Sequence, residues 1–395
     1  MLLPVLKDVY SLDEAALGRM ASLAFASALP ALLISGYVTE WLRPKRSGIV
    51  AVVLMGTGCL AMGMSRSFAV VVGGLMVLQF GIAWVLAVQS SIIAGFSPQL
   101  RQRLFFLAMA MLAMGAIFGP PAIGWAIERV AANDSLAAWG TVYVWLGGLL
   151  WGLLALLLIV CGGRLAPIAD RPDGAQQSLR VRRGTSLGER LTKLFVSGVF
   201  NRPAFYLLGL IVLFDNLAAI NILTWLGVMA QERFDATPVK IGYLSSLMAM
   251  GIVFGRIFMA TFVSGRISDR KLLGYSYGIA MLIFMFMLIA PSMNMLYVLY
   301  FLMSIFISAQ SATTYAIGAD KFGERAAIGI PFVDGVGSLG SLAAPLIMGM
   351  FAVWFSLDYA LWMIPVFGFM LVMISLGWEW FDRYGTGQQS REARA

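Results

Sequence analysis

Apolar runs of about 20 residues recur along almost the whole chain, each long enough to cross ~30 Å of hydrocarbon as a helix. A soluble core has no room for so many. Of the 395 residues, 60% are hydrophobic and 12% charged, where soluble chains carry roughly 25% charged residues. Eleven spans can be read, at about 16–41, 48–64, 67–96, 104–127, 139–161, 203–230, 240–263, 272–291, 294–318, 327–355 and 358–380. Membrane-crossing strands are only about 9–11 residues long and alternate in polarity. These runs do neither, so an all-α membrane protein is expected.

The formal charge of +8 gains meaning by location, because Lys and Arg are retained on the cytoplasmic side. Arg43, Lys45, Arg46, Arg101, Arg103, the basic residues from Arg164 to Arg202, Arg266, Arg270, Lys271, Lys321, Arg325 and the tail arginines fall in one set of loops. The opposite set holds Lys7, Arg19, Arg66, Arg129, Arg233 and Lys240. The C-terminus and the segment 162–202 are therefore expected in the cytoplasm, with the chain spanning a bacterial inner membrane. The basic residues anchor topology and imply no nucleic-acid partner.

Several chemistries are excluded. The chain has no histidine, and its two cysteines, Cys59 and Cys161, lie in apolar runs, so no metal site is expected. There is no P-loop, paired carboxylate motif or nucleophile–base constellation, so neither an enzyme nor a bound cofactor is expected. The start, MLLPVLKDVY, lacks the basic lead and long apolar core of a secretory signal.

The segment 162–202 is the one substantial polar stretch. RPDGAQQSLRVRRGTS reads as a flexible linker, and Leu187, Leu191, Leu194 and Phe195 then share one face of an expected interfacial helix. It divides an N-terminal bundle, 1–161, from a C-terminal bundle, 203–380, followed by a tail, 381–395. The two halves repeat at an offset of about 225 residues. Gly36 and Glu40 match Gly265 and Asp269; Gly115, Pro120 and Gly124 match Gly340, Pro345 and Gly349; Leu17-Gly18 matches Ile241-Gly242. Two pseudo-symmetric six-helix bundles, related by a parallel repeat, are expected. Eleven of twelve helices are visible, because the counterpart of 203–230 falls at about −22 to 5 and only MLLPVL remains of it.

The segments GYVTEWLRPKR (Gly36–Arg46) and GRISDRK (Gly265–Lys271) resemble the signature loop of the major facilitator superfamily. The resemblance covers essentially the whole chain. It implies a gating role for Gly36, Glu40, Lys45 and Arg46 in the first copy, and for Gly265, Asp269, Arg270 and Lys271 in the second. A small residue permits close helix approach, and the carboxylate can meet helix N-terminal amides or basic side chains. The first copy departs from the family pattern, with Glu40 for the usual Asp and Arg43 at a usual Gly position. Gly115, Gly119, Pro120 and Gly124 resemble the fifth-helix motif associated chiefly with the family's antiporters, which implies a helix-packing role.

Polar groups inside spans are costly in hydrocarbon and usually face a cavity. Asp215 lies 13 residues beyond Arg202, ~20 Å deep at 1.5 Å per residue, where a carboxylate can take up and release a proton. Arg256 and Asp334 each lie about nine residues from the cytoplasmic side, a matched depth that permits an ion pair. Asp215, Asp334 and Arg256 are thus the proton-coupling candidates. Gln79, Trp84, Asn216, Asn221, Trp225, Gln310 and Thr314 are candidates to line a substrate cavity. The expected function is a secondary transporter that moves a small organic solute by alternating access, with proton-coupled efflux the first reading. Proton-coupled uptake of a sugar or organic acid, and a non-transporting receptor or scaffold, are the alternatives. The expected partners are the solute, protons and the lipid bilayer, around a monomer.

Overall fold

The computed structural model describes residues 2–42, 44–94, 114–129, 135–161, 203–263, 266–322 and 326–392. The linker helix expected around Leu187–Phe195, and Gly265, lie outside the described residues. Helices account for nearly everything described, with no strand among these residues. In chain order they are α1 (Leu2–Tyr10), α2 (Glu14–Leu42), α3 (Pro44–Met64), α4 (Phe68–Ala94), α5 (114–129) and α6 (Ser135–Cys161). Beyond the linker follow α7 (Pro203–Phe234), α8 (Pro238–Phe258), α9 (Asp269–Leu288), α10 (Met293–Ile307), α11 (Ala309–Phe322), α12 (Ala326–Phe355), α13 (Leu357–Ala360) and α14 (Met363–Glu392). Nine stretches among the described residues are long and apolar enough to cross a membrane. The chain is an integral, multi-pass membrane protein.

Local chemistry explains the breaks. Between α7 and α8, Asp235 takes a positive φ of 48° and Ala236 N–H donates back to Ala230 O. Pro238 then opens α8, where its missing N–H costs nothing. Ser292 caps α10 by accepting from the Met295 amide. The expected span 294–318 falls within one membrane-spanning stretch, Met293–Phe322, with a local irregularity at Ser308 between α10 and α11. There the Ser304 and Ser308 hydroxyls donate to the carbonyls of Tyr300 and Ile305, and such back-bonding bends helices. A five-residue π-helical turn, Met259–Val263, ends α8.

The chain forms two compact units: Met1–Thr192 with Thr237–Gly242, and Lys193–Ala236 with Tyr243–Ala395. In lipid, helices gain no hydrophobic advantage by associating, so close packing and small residues hold them. In the first unit a Cβ on Gly58 of α3 would lie 2.7 Å from Gly74 O of α4. Ser27 of α2 donates to Met76 O of α4. The segment 237–242 is held there as well, with the Glu128 carboxylate of α5 accepting from the Val239 amide at 3.1 Å.

In the second unit α7 packs against α12 and α14, and α9 against α10, α11 and α14. Trp225, Tyr277, Phe284 and Trp378 are wholly buried. At one end Arg233, in the last turn of α7, donates to Leu288 O and to Asp358 of α13, joining three elements. Large apolar side chains such as Leu282, Phe286, Ile257 and Met373 are exposed, the surface expected where lipid replaces water.

Candidate functional site: two carboxylates and two tyrosines in the second unit

Close approach of α7 and α12 creates the site. A Cβ on Gly337 would fall 2.7 Å from Asn216 Nδ2, and one on Gly340 2.5 Å from Leu213 O. Those glycines bring α12 onto the turn of α7 that carries Asp215. Asp215 lies 12 residues into α7, ~18 Å from its start, while Asp334 lies 8 residues into α12, ~12 Å from its start.

Two tyrosines complete the group. Tyr315 of α11 donates its hydroxyl to Asp334 Oδ2 at 3.0 Å and is also within electrostatic reach of Asp215. Tyr277 of α9 is wholly buried, and its hydroxyl faces the Asp215 carboxylate. No basic side chain acts on either carboxylate among the described residues. Tyr315 is 43% exposed, so the group is not sealed off.

Asp215 and Asp334 each have a tyrosine partner, Tyr277 and Tyr315, and Tyr315 also feels the charge of Asp215. The arrangement changes one expectation. Arg256 does not pair with Asp334: it is exposed, and among the described residues no ion pair holds it. Helix register supplies the reason. Gly255 faces Ile305 of α10 and the adjoining Ser308, and the next residue is turned about 100° from that face.

Of the other cavity candidates, Asn221 and Trp225 are wholly buried on α7, four residues apart. Asn221 Nδ2 donates to Leu217 O, leaving Oδ1 without a partner, as are Trp225 Nε1 and Thr314 Oγ1. Gln310 is buried and Asn216 half-buried. In the first unit, Gln79 is half-buried. Trp84 is buried against Ala51 and Val88, its indole N–H donating to Ser47 Oγ at 2.8 Å.

The gating residues are placed in part. Gly36, Glu40 and Lys45 belong to α2 and α3 with side chains outside the described set, and Arg46 is exposed. Asp269 begins α9, where a carboxylate suits the helix dipole. Arg270 lies 5.0 Å from the Trp378 ring, and its carbonyl accepts from Ser375. Ser268, Asp269, Arg270, Ile317, Asp320 and Lys321 border a small polar cleft; Lys271 is exposed. In α5, Gly124 is buried, and a Cβ on Gly242 would lie 2.7 Å from Pro120 O. No described residue lies within 4 Å of a Cβ placed on Gly115 or Gly119.

Sequence reasoning missed Tyr277 and Tyr315. A signal existed, because tyrosine usually sits at membrane–water interfaces, whereas Tyr277 lies 8 residues inside α9 and Tyr315 6 residues inside α11.

A family model described as "Major Facilitator Superfamily" matches residues 1–294. Two solved structures of a bacterial homologue of the human lysosomal transporter Spinster share the fold. The inward-facing, occupied form aligns with a TM-score of 0.70 at 15% identity, covering 95% of this chain and 90% of that one. The inward-facing, unoccupied form gives 0.73 at 16% identity, covering 95% and 92%. No curated protein sequence matches the chain.

Proposed function

Given that the chain belongs to the Major Facilitator Superfamily, and so is a membrane transporter rather than an enzyme, we propose that it is a proton-coupled secondary transporter exporting a small organic solute. Asp215 and Asp334 carry the protons in this reading. The observation behind it is two carboxylates inside membrane-spanning helices, each with a tyrosine partner and neither with a basic counter-charge among the described residues. Intramembrane carboxylates of this kind mark proton pathways. A group that must be neutral in one state and charged in the other links solute movement to the proton gradient. Export, rather than uptake, rests on the resemblance of Gly115–Gly124 to the fifth-helix motif of the family's antiporters. The protein acts as a monomer in the cytoplasmic membrane, with its C-terminus inside.

Proteoliposomes under an imposed pH gradient test this, with a panel of radiolabelled solutes. At least one solute should accumulate against its gradient, and a proton ionophore should abolish the accumulation. Binding without flux would make the protein a receptor or scaffold. Flux indifferent to the pH gradient would remove the proton coupling.

A further inference from the structure

We propose that the groove between α5 and α6 in the first unit is the seat of one further membrane-spanning helix, continuous with the N-terminal end of α1. The offset of about 225 residues makes α5 the counterpart of α12, α6 that of α14, and α1 that of the end of α7. The two units can therefore be compared position by position.

In the second unit α7 packs against α12 and α14. The backbones approach so closely that a Cβ on Gly340 would lie 2.5 Å from Leu213 O. Gly340, Ala344 and Met348 are all buried there. Their counterparts 225 residues earlier are Gly115, Gly119 and Ile123. Gly115 is exposed, and Gly119 and Ile123 are half-buried. No described residue lies within 4 Å of a Cβ placed on either glycine. One helix face is thus covered by a neighbouring helix in the second unit, and its equivalent is open among the described residues of the first.

The open face is a groove of about 240 Å³, not a flat surface. Gly115, Gly119, Pro120, Ile123 and Ile127 of α5 line it, and Tyr143 of α6 closes its other side. The lining is mostly apolar. Membrane helices associate by close packing on small residues of this kind, as α7 does at Gly340.

Helix α1 supplies the direction and the length. Its nine residues correspond to 226–234, the last turns of α7. Leu6 is wholly buried, and Tyr10 packs against Trp139 of α6 at 6.3 Å and Phe68 of α4 at 5.5 Å between ring centroids. The rest of α7, 203–225, is the part that reaches Gly340. It amounts to about 23 residues or ~34 Å, enough to cross a bilayer core. A helix of that length running on from α1 would meet Gly115 as Leu213 meets Gly340. This inference rests on packing alone and is independent of proton coupling.

The test starts from protein purified out of its native membranes with an antibody to the 381–395 tail. Intact mass and terminal-peptide sequencing should place about 20–25 apolar residues ahead of Met1. Occupancy of the groove is read separately, by melting in nanodiscs. In the native-length protein, Gly115→Leu would collide with the seated helix and should melt several degrees below wild type, as should Gly340→Leu. In the 395-residue chain, Gly115→Leu should melt at or above its parent, while Gly340→Leu still melts below. Gly115→Ala should show the same ordering with less bulk, which keeps the reading available if the leucine variant does not fold. A native N-terminus at Met1 would overturn the proposal, leaving the groove to lipid or to a second copy of the chain. Native-length protein that tolerates Gly115→Leu and Gly115→Ala would overturn it too, because the added helix would then sit elsewhere.

Discussion

Replacing Gly340 with alanine tests the close contact of α7 and α12 beside Asp215. The added Cβ would lie 2.5 Å from the Leu213 carbonyl oxygen and 3.2 Å from Asn216 Cβ. Carbon and oxygen settle at roughly 3.4 Å or more, so α7 and α12 must separate by about 1 Å. Backbone supplies the nearest atom, so no side-chain rotation relieves the clash. Overpacking of this kind costs about 1–3 kcal/mol. Gly335, five residues earlier on α12, has no described residue within 4 Å of an added Cβ. Gly335→Ala should be neutral, or stabilising by up to about 1 kcal/mol through helix propensity. Thermal melts in matched nanodiscs should show Gly340→Ala melting several degrees below wild type and Gly335→Ala at or above it. Because the separation falls beside Asp215, transport should decline in Gly340→Ala even at temperatures where it is fully folded. Equal melting temperatures for the two variants would refute the packing argument.

Three further outcomes follow from single contacts. Tyr315→Phe removes the hydroxyl donated to Asp334; discounted for its half-exposed setting, the loss is about 1 kcal/mol, seen as a slightly lower melting temperature. Ser47→Ala strands the buried Trp84 indole N–H and should cost about 1–3 kcal/mol in melts. Arg233→Ala should destabilise more than Asp358→Asn, because Arg233 also holds Leu288 O while the Asp358 carboxylate is 63% exposed. Raising salt should narrow only the part due to the ion pair.

Much of this architecture was legible before any coordinates. A run such as 203–230 needs only the thickness of a bilayer to be read as a helix, and Pro203–Phe234 is that helix. Asp215 stood out because a charge so deep is expensive anywhere except at a site. Depth along a helix, however, says nothing about which way a side chain faces. For that reason Arg256 and Asp334 looked like a pair, although register turns Arg256 away, and the partnership of Asp334 with Tyr315 was hidden. Tyr277 and Tyr315 were passed over because an apolar ring hides its hydroxyl in a hydropathy pattern.

The central claim is that protons held by Asp215 and Asp334 drive the solute. The direct measurement uses whichever solute wild-type proteoliposomes accumulate under a pH gradient, compared with the Asp215→Asn/Asp334→Asn double variant. The account predicts that the double variant loses gradient-driven accumulation entirely yet still exchanges labelled for unlabelled solute across the membrane. Accumulation by the double variant, with the pH dependence of wild type, would contradict it.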